Sequence, residues 1–222
     1  MEINYLAIIP ARSGSKGIPN KNITKIKGKE CFRYTLEPII NSKIDKIFFT
    51  TDSIEYLELY KKYTDTNKDV TFDYLRSNKS SSDTSIPDDY INECLYYLDS
   101  KGYIIKNFII LQPTSLFRTS KEIDDIIDFH KKNNCMNIKS VSPVIQTPYH
   151  MIYENNEKVI DNNFKNRQEH LDVFIFNGAY YVYSLDKYKM NSTNLFIKYI
   201  MKDYHGFDLD NETDLNIIGL LL

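Results

Sequence analysis

Residues 5–17 read YLAIIPARSGSKG: an unbroken apolar run closed by Pro10, then a loop with Arg12, Ser13, Gly14, Ser15, Lys16 and Gly17. A continuous apolar run of strand length is the pattern of a strand buried on both faces, as in a parallel sheet covered by helices. The loop after it gathers positive charge, hydroxyl donors and two glycines. Backbone N–H groups in such a loop can approach an anion closely, and Arg12, Lys16 and Lys21 suit a polyphosphate. The spacing is neither the P-loop G-x-x-x-x-G-K-[ST] nor the dinucleotide fingerprint G-x-G-x-x-G. A solvated basic turn is the alternative that the loop alone leaves open.

Outward from this stretch, strand and helix patterns alternate. Residues 31–40 place Phe32, Thr35, Leu36 and Ile39 on one helical face, although Pro38 is expected to kink or shorten the helix. Residues 46–51 (KIFFTT) read as a strand and 54–63 as an amphipathic helix. Residues 70–75 are a short strand candidate, 88–98 a helix, and 107–111 (NFIIL) a buried strand. Thr119, with Glu122 three residues on, forms a capping box for a helix running to about residue 132. This succession predicts a Rossmann-like α/β fold, a mostly parallel sheet with helices on both faces. Beyond residue 135 the pattern changes. Residues 137–144 and 150–153 alternate weakly, 179–183 and 195–202 read as strands, and 211–222 as a closing helix. We read a single domain over 1–222, with an insertion or interface arm around 140–200.

Composition bounds the function. Hydrophobic residues make up 42% of 222 residues, and 28 basic side chains are interspersed with 30 acidic ones for a net charge of -2. That balance disfavours a nucleic-acid scaffold, which carries a concentrated basic face. Cys31, Cys94 and Cys135 are scattered and odd in number, fitting reduced thiols rather than a disulfide framework or zinc site. No run approaches the length of a membrane span and no signal-peptide core is visible. A cytoplasmic protein with no membrane partner is expected.

In open parallel sheets, ligands bind beyond the carboxyl ends of the strands. Three such ends are polar here: residues 11–17, Thr50-Thr51-Asp52, and Gln112-Pro-Thr-Ser115. Near the far end of the chain, Asp208 and Asp210 lie two apart, so in an extended segment their carboxylates share a side. That arrangement suits a hard, oxygen-ligated Mg²⁺. An acidic turn capping the last helix is the competing reading.

The run IIPARSGSKGIPNKN (8–22) resembles the signature of the acylneuraminate cytidylyltransferases, also called CMP-sialic acid synthetases. The resemblance continues in order through TTD (50–52), LRSNKSSSDT (75–84), LQPTS-x-x-RT (111–119), RQ (167–168), NGAYY (177–181) and FDLDNETDL (207–215). It implies a nucleotide-diphospho-sugar transferase type of fold. The implied reaction is transfer of CMP from CTP to a nine-carbon 2-keto-3-deoxy acid sugar, with Mg²⁺, in a homodimer. Residue by residue, it implies that Arg12, Ser15, Lys16 and Lys21 hold the triphosphate. Asn22, Arg76 and Ser82 would lie around cytosine and ribose; Gln112, Arg167, Gln168 and Asn177 would face the sugar. Asp208 and Asp210 would bind the metal, and Arg12, Lys21 and Asp210 would carry the chemistry, with Asp210 as proton acceptor.

The departures from the family pattern lie on the sugar side. Ile175-Phe176 stand where an Arg-Pro pair is expected, His150 where a lysine is, and Leu116-Phe117 where Pro-Leu is. With two cations lost, Arg167 becomes the main expected clamp on the sugar carboxylate and His150 a partial substitute. The pattern suggests a related acid such as legionaminic or pseudaminic acid beside N-acetylneuraminate. The aromatic group Phe174, Phe176, Tyr180, Tyr181, Tyr183, Phe196 and Tyr199 reads as sheet core or as a homodimer interface. Two other readings remain: a glycosyltransferase using Asp208/Asp210 as its metal motif, and a non-catalytic CTP-binding homologue.

Overall fold

The computed structural model describes residues 1–144, 148–155, 157–159, 171–190, 195–201 and 203–222; the side chains of His150 and Asp203 are not described. The opening apolar run is strand β1 (Glu2–Pro10), with Leu6, Ala7, Ile8 and Ile9 wholly inaccessible to solvent. Burying a leucine or isoleucine side chain stabilises by about 1.5–3 kcal/mol relative to leaving it exposed. Its neighbours are β4 (Lys46–Thr50) and β5 (Ile104–Ile110), both parallel to it. Beyond β5 the sheet continues through β7 (Phe174–Ser184), β6 (Ile138–Pro143) and β8 (Ile197–Ile200), in the order β4-β1-β5-β7-β6-β8. β7 runs antiparallel to both of its neighbours, whereas β6 and β8 pair in parallel. A separate small hairpin joins β2 (Lys25–Ile26) to β3 (Lys29–Glu30).

Helices cover both faces. On one face, α1 (Arg33–Ile40), α2 (Ile54–Lys61) and α5 (Ser120–Lys132) pack Leu36, Tyr60 and Ile126 against Ala7, Ile9, Phe49 and Ile109. On the other, α4 (Pro87–Ser100) packs Ile91, Cys94 and Leu98 against Leu6, Ile8, Phe48 and Phe108. The alternation of β1 between the two clusters is the two-residue period of a strand. α3 (Asn78–Ser81) is a single turn, α6 (Leu185–Lys189) follows β7 directly, and α7 (Glu212–Leu221) closes the described chain. Pro38 lies inside α1, which ends two residues later at Ile40. Thr119 and Glu122 form the capping box of α5, and Ser53 and Asn211 cap α2 and α7. The three cysteines are free thiols.

Two expectations change. Residues 70–75 form no strand: one bridge joins Asp69 to Ile47, and Phe72 then turns the chain with φ of 54°. Backbone in that left-handed region cannot continue a ladder. The expected arm around 140–200 contains β6, β7 and β8, which are integral to the main sheet. Within that range α6 is a described element that is not part of the sheet. Among the described residues, no helix is long and apolar enough to cross a membrane.

Candidate active site

The loop after β1 stays tied to the sheet edge, because the Ala11 amide donates to the Thr50 carbonyl at 2.9 Å. Asp52 then fixes the turn: its carboxylate accepts from the Ser13 amide at 2.7 Å and from the Ser13 hydroxyl at 2.9 Å. Asn22, buried at the end of the loop, donates its side-chain amide to the Arg12 carbonyl at 2.9 Å. A β-carbon added at Gly17 would fall 2.3 Å from the Asp210 carbonyl oxygen, so no side chain fits there. The loop is thus a folded object, unlike a solvated turn.

Its cations face one region. Arg12 donates to the Ser82 carbonyl at 3.0 Å and pairs with Asp83 at 3.2 Å; Lys16 pairs with the other Asp83 oxygen at 2.9 Å. Lys21 reaches across to the late segment, donating to the Leu209 carbonyl at 2.7 Å and to Asp210 at 3.2 Å. Arg76 is buried, with Nε donating to Thr50 Oγ1 at 2.8 Å and the guanidinium 4.4 Å above the Tyr90 ring. Burial pulls its pKa below the usual arginine range, and its second terminal nitrogen has no partner. A buried cation with an open N–H gains most from a ligand oxygen, because it is otherwise uncompensated.

These groups line a cleft of about 330 Å³ that includes Arg12, Ser15, Lys21, Asn22, Arg76 and Ser82. Lys16 stands outside its wall, held by Asp83. A second cleft, about 380 Å³, is lined by Gln112, Asn177, Asp208 and Asp210, with Ile175 and Phe176 on one side. Gln112 borders both clefts. A third cavity, about 530 Å³ between α4, the start of β5 and α6, contains none of these residues.

The second cleft is floored by the antiparallel strand. Asn177 accepts from the Ser140 hydroxyl at 2.6 Å and donates to Ser142 Oγ at 2.9 Å, so much of its amide is used within the sheet. Gly178 takes φ of 74°, and a β-carbon there would meet the Gln112 side chain at 2.6 Å. Gly206 packs as tightly against Ser142 and Asn177. Leu209 is fully buried and its amide donates to the Thr114 carbonyl at 3.1 Å, which sets the flanking aspartates. Burial first, and the nearby Asp210 charge after it, hold the Asp208 carboxyl above its ordinary pKa. Its Oδ1 is buried with no hydrogen-bond partner. Two neighbouring carboxylates, one with an orphaned oxygen, fit a hard divalent cation completed by phosphate and water. No group of three or more metal-binding side chains occurs among the described residues.

Arg167 and Gln168 lie outside the described residues. His150 ends the 3-10 turn Pro148–His150. Four contributors have no role assigned from sequence: Asp52, named only as part of a polar strand end, and Asp83, Tyr90 and Arg118. Arg118 is almost wholly buried, donating to Thr35 Oγ1 and to the Ala179 carbonyl, both at 2.6 Å. It ties α1, the 112–118 loop and β7 together. Asp52, Asp83 and Arg118 fall inside quoted motifs, but a charged side chain does not announce its partner, and Tyr90 lies outside every motif.

The chain matches the cytidylyltransferase family over residues 6–199. It is 30% identical to post-translational flagellin modification protein B of Campylobacter coli, over 98% of this chain and 94% of that protein. It is also 30% identical to CMP-N,N'-diacetyllegionaminic acid synthase of Legionella pneumophila, over 66% of this chain and 61% of that protein. The match thus spans under two thirds of the Legionella protein. Among solved structures, CMP:2-keto-3-deoxy-manno-octonic acid synthetase in complex with CTP superposes with a TM-score of 0.68 at 14% identity, covering 98% of each chain. At that identity the likeness concerns the fold.

Proposed function

The chain belongs to the cytidylyltransferase family and is therefore a nucleotidyltransferase; from that premise we propose that it transfers CMP from CTP to the anomeric hydroxyl of an acidic nonulosonic sugar, releasing pyrophosphate. The observation that supports this most is the joining of two clefts at Gln112, one walled by cations and the other by Asp208 and Asp210. Such a layout can bring a triphosphate and an acceptor together over a metal position. We take the 222 residues as one catalytic unit working in the cytoplasm as a homodimer.

In this reading Arg12, Ser15, Lys16 and Lys21 hold the triphosphate, and Asn22, Arg76 and Ser82 hold cytidine. Gln112, Asn177, Arg167, Gln168 and His150 face the sugar. Asp208 and Asp210 would hold Mg²⁺, which when bound neutralises phosphate charge and acidifies the attacking hydroxyl. The chain's own share is positioning and electrostatics. Lys21 exchanges Asp210 for a phosphate oxygen, and the Asp210 carboxylate so released accepts the sugar proton. The anomeric oxygen forms its bond to the α-phosphorus while the bond to the β-phosphate oxygen breaks, and pyrophosphate leaves against Arg12 and Lys16.

Ile175 and Phe176, 60% and 53% exposed, put apolar surface along the second cleft. That surface suits a sugar with methyl and acetamido groups, so legionaminic or pseudaminic acid is favoured over N-acetylneuraminate. The Legionella relative's name points the same way. The test is pyrophosphate release from CTP against a panel of 2-keto-3-deoxy acids and neutral sugars. Release with a nine-carbon acid and with no neutral sugar is expected; release with none of the acids would sink the proposal.

A further inference from the structure

The cation-lined cleft contains an anion of its own. Asp83, half exposed, stands one residue past the cap of α3 and pairs through separate oxygens with Arg12 at 3.2 Å and Lys16 at 2.9 Å. The turn before it is anchored: Glu93 on α4 accepts from Ser80 Oγ at 2.7 Å, from Tyr74 Oη at 2.9 Å and from the Ser77 hydroxyl. Asp83 therefore hangs from a fixed turn, and moving it requires only residues just past that turn to rotate. The two lysine–aspartate contacts of the loop differ in kind. Asp210, on Lys21, stands beside the carboxylate of Asp208 at the proposed metal position, where its charge is useful to the complex. Asp83 has no such use, because a phosphate placed on Arg12 and Lys16 meets its negative charge directly.

We propose that Asp83 is a charge gate, competing with phosphate for Arg12 and Lys16 and so speeding departure of pyrophosphate after transfer. The inference rests on the reading of the loop as the triphosphate grip. Pyrophosphate feels the gate most, since it lacks the cytidine that Arg76 and Asn22 would hold. Each exposed ion pair of this kind carries up to about a fivefold change in an equilibrium, and two of them set the expected scale.

The experiment is calorimetric titration of inorganic pyrophosphate, and separately of CTP, into wild type, Asp83→Asn, Asp83→Glu and the double variant Arg12→Ala/Lys16→Ala, with melting curves to check folding. Asp83→Asn is expected to bind pyrophosphate about tenfold tighter and CTP by a smaller factor, with Asp83→Glu near wild type. The difference should shrink as salt is raised, because exposed charges are screened. Turnover of Asp83→Asn should be inhibited by lower pyrophosphate concentrations. Unchanged or weaker pyrophosphate binding in Asp83→Asn, while the double variant loses binding, overturns the gate and leaves the grip intact. A double variant that binds pyrophosphate as wild type does overturns the grip, and the gate with it.

Discussion

The two clefts that meet at Gln112 are built in opposite ways. The nucleotide cleft is made of loops leaving parallel strands, and each loop is pinned by a residue of another: Ser13 by Asp52, Lys21 by the Leu209 carbonyl, Arg76 by Thr50. Among its binding groups, Arg76 keeps an unpartnered N–H group. The acceptor cleft rests on β7, the antiparallel strand, and there the polar groups mostly hold one another, as Ser140, Asn177 and Ser142 do. The first region is rigid by anchoring and chemically open. The second is rigid by internal bonding, and its expected sugar cations come from the β6–β7 connection rather than from the sheet.

The comparison is broken most easily at the seam. Lys21→Ala and Asp210→Ala should each lower kcat for pyrophosphate release about a hundredfold or more, the scale for removing one positioned electrostatic group. The far-ultraviolet spectrum should stay unchanged, and near-normal turnover by either variant would remove these residues from the chemistry. Next in size, Arg76→Ala should raise the KM for CTP by tenfold or more, as loss of a hydrogen bond to a charged group predicts. The KM for the sugar should hardly move. Gln112→Ala, by contrast, should raise both, and a change in one alone would show that the clefts act separately.

A smaller effect is expected on the sheet side. Asn177→Ala leaves the buried Ser140 hydroxyl without its acceptor, at a cost of about 2 kcal/mol. For a chain of this size that corresponds to a melting temperature lower by about 4–8 °C. An unchanged melting temperature would mean that Asn177 serves the ligand more than the sheet.

The smallest effect concerns Asp208, whose carboxyl burial holds above its ordinary pKa. A raised native pKa means that the unfolded state gives up this proton more readily. The stabilising contribution of the protonated form is therefore complete below the ordinary carboxylate pKa and lost as pH rises through the native value. With metal removed by chelator, Asp208→Asn should melt above wild type at neutral pH, and the gap should close as pH falls below the ordinary carboxylate range. The opposite trend would mean that the hydrogen bonds to the Asp208 carboxylate outweigh its burial.

Much of the first region was legible because its signals are local. The apolar runs at 5–9, 46–49 and 107–111 needed no tertiary information, nor did the Thr119–Glu122 capping box. The cationic loop was legible for the same reason. The second region resisted reading because its determinants are distant. β7 begins five residues before the stretch that reads as a strand, since Asn177 and Gly178 interrupt the alternation while the backbone still pairs with β6. Residues 70–75 misled in the other direction: they alternate well, but Phe72 turns the chain after one bridge. Asp52 and Arg118 show the same limit at the site. Their roles depend on partners 39 and 61 residues away, a relation no spacing rule supplies.

Gly17 has no room for a side chain because the Asp210 carbonyl occupies it, and Lys21 is held from the same late segment across 189 residues of sequence. The order of synthesis follows from that. The first loop is synthesised long before residues 207–210, whose contacts with Gly17 and Lys21 complete it. Contacts of such long range form late and slow folding. A nascent chain arrested before residue 207 should therefore have most of its sheet and no catalytic competence, so that activity reports arrival of residues 207–210 rather than formation of the fold.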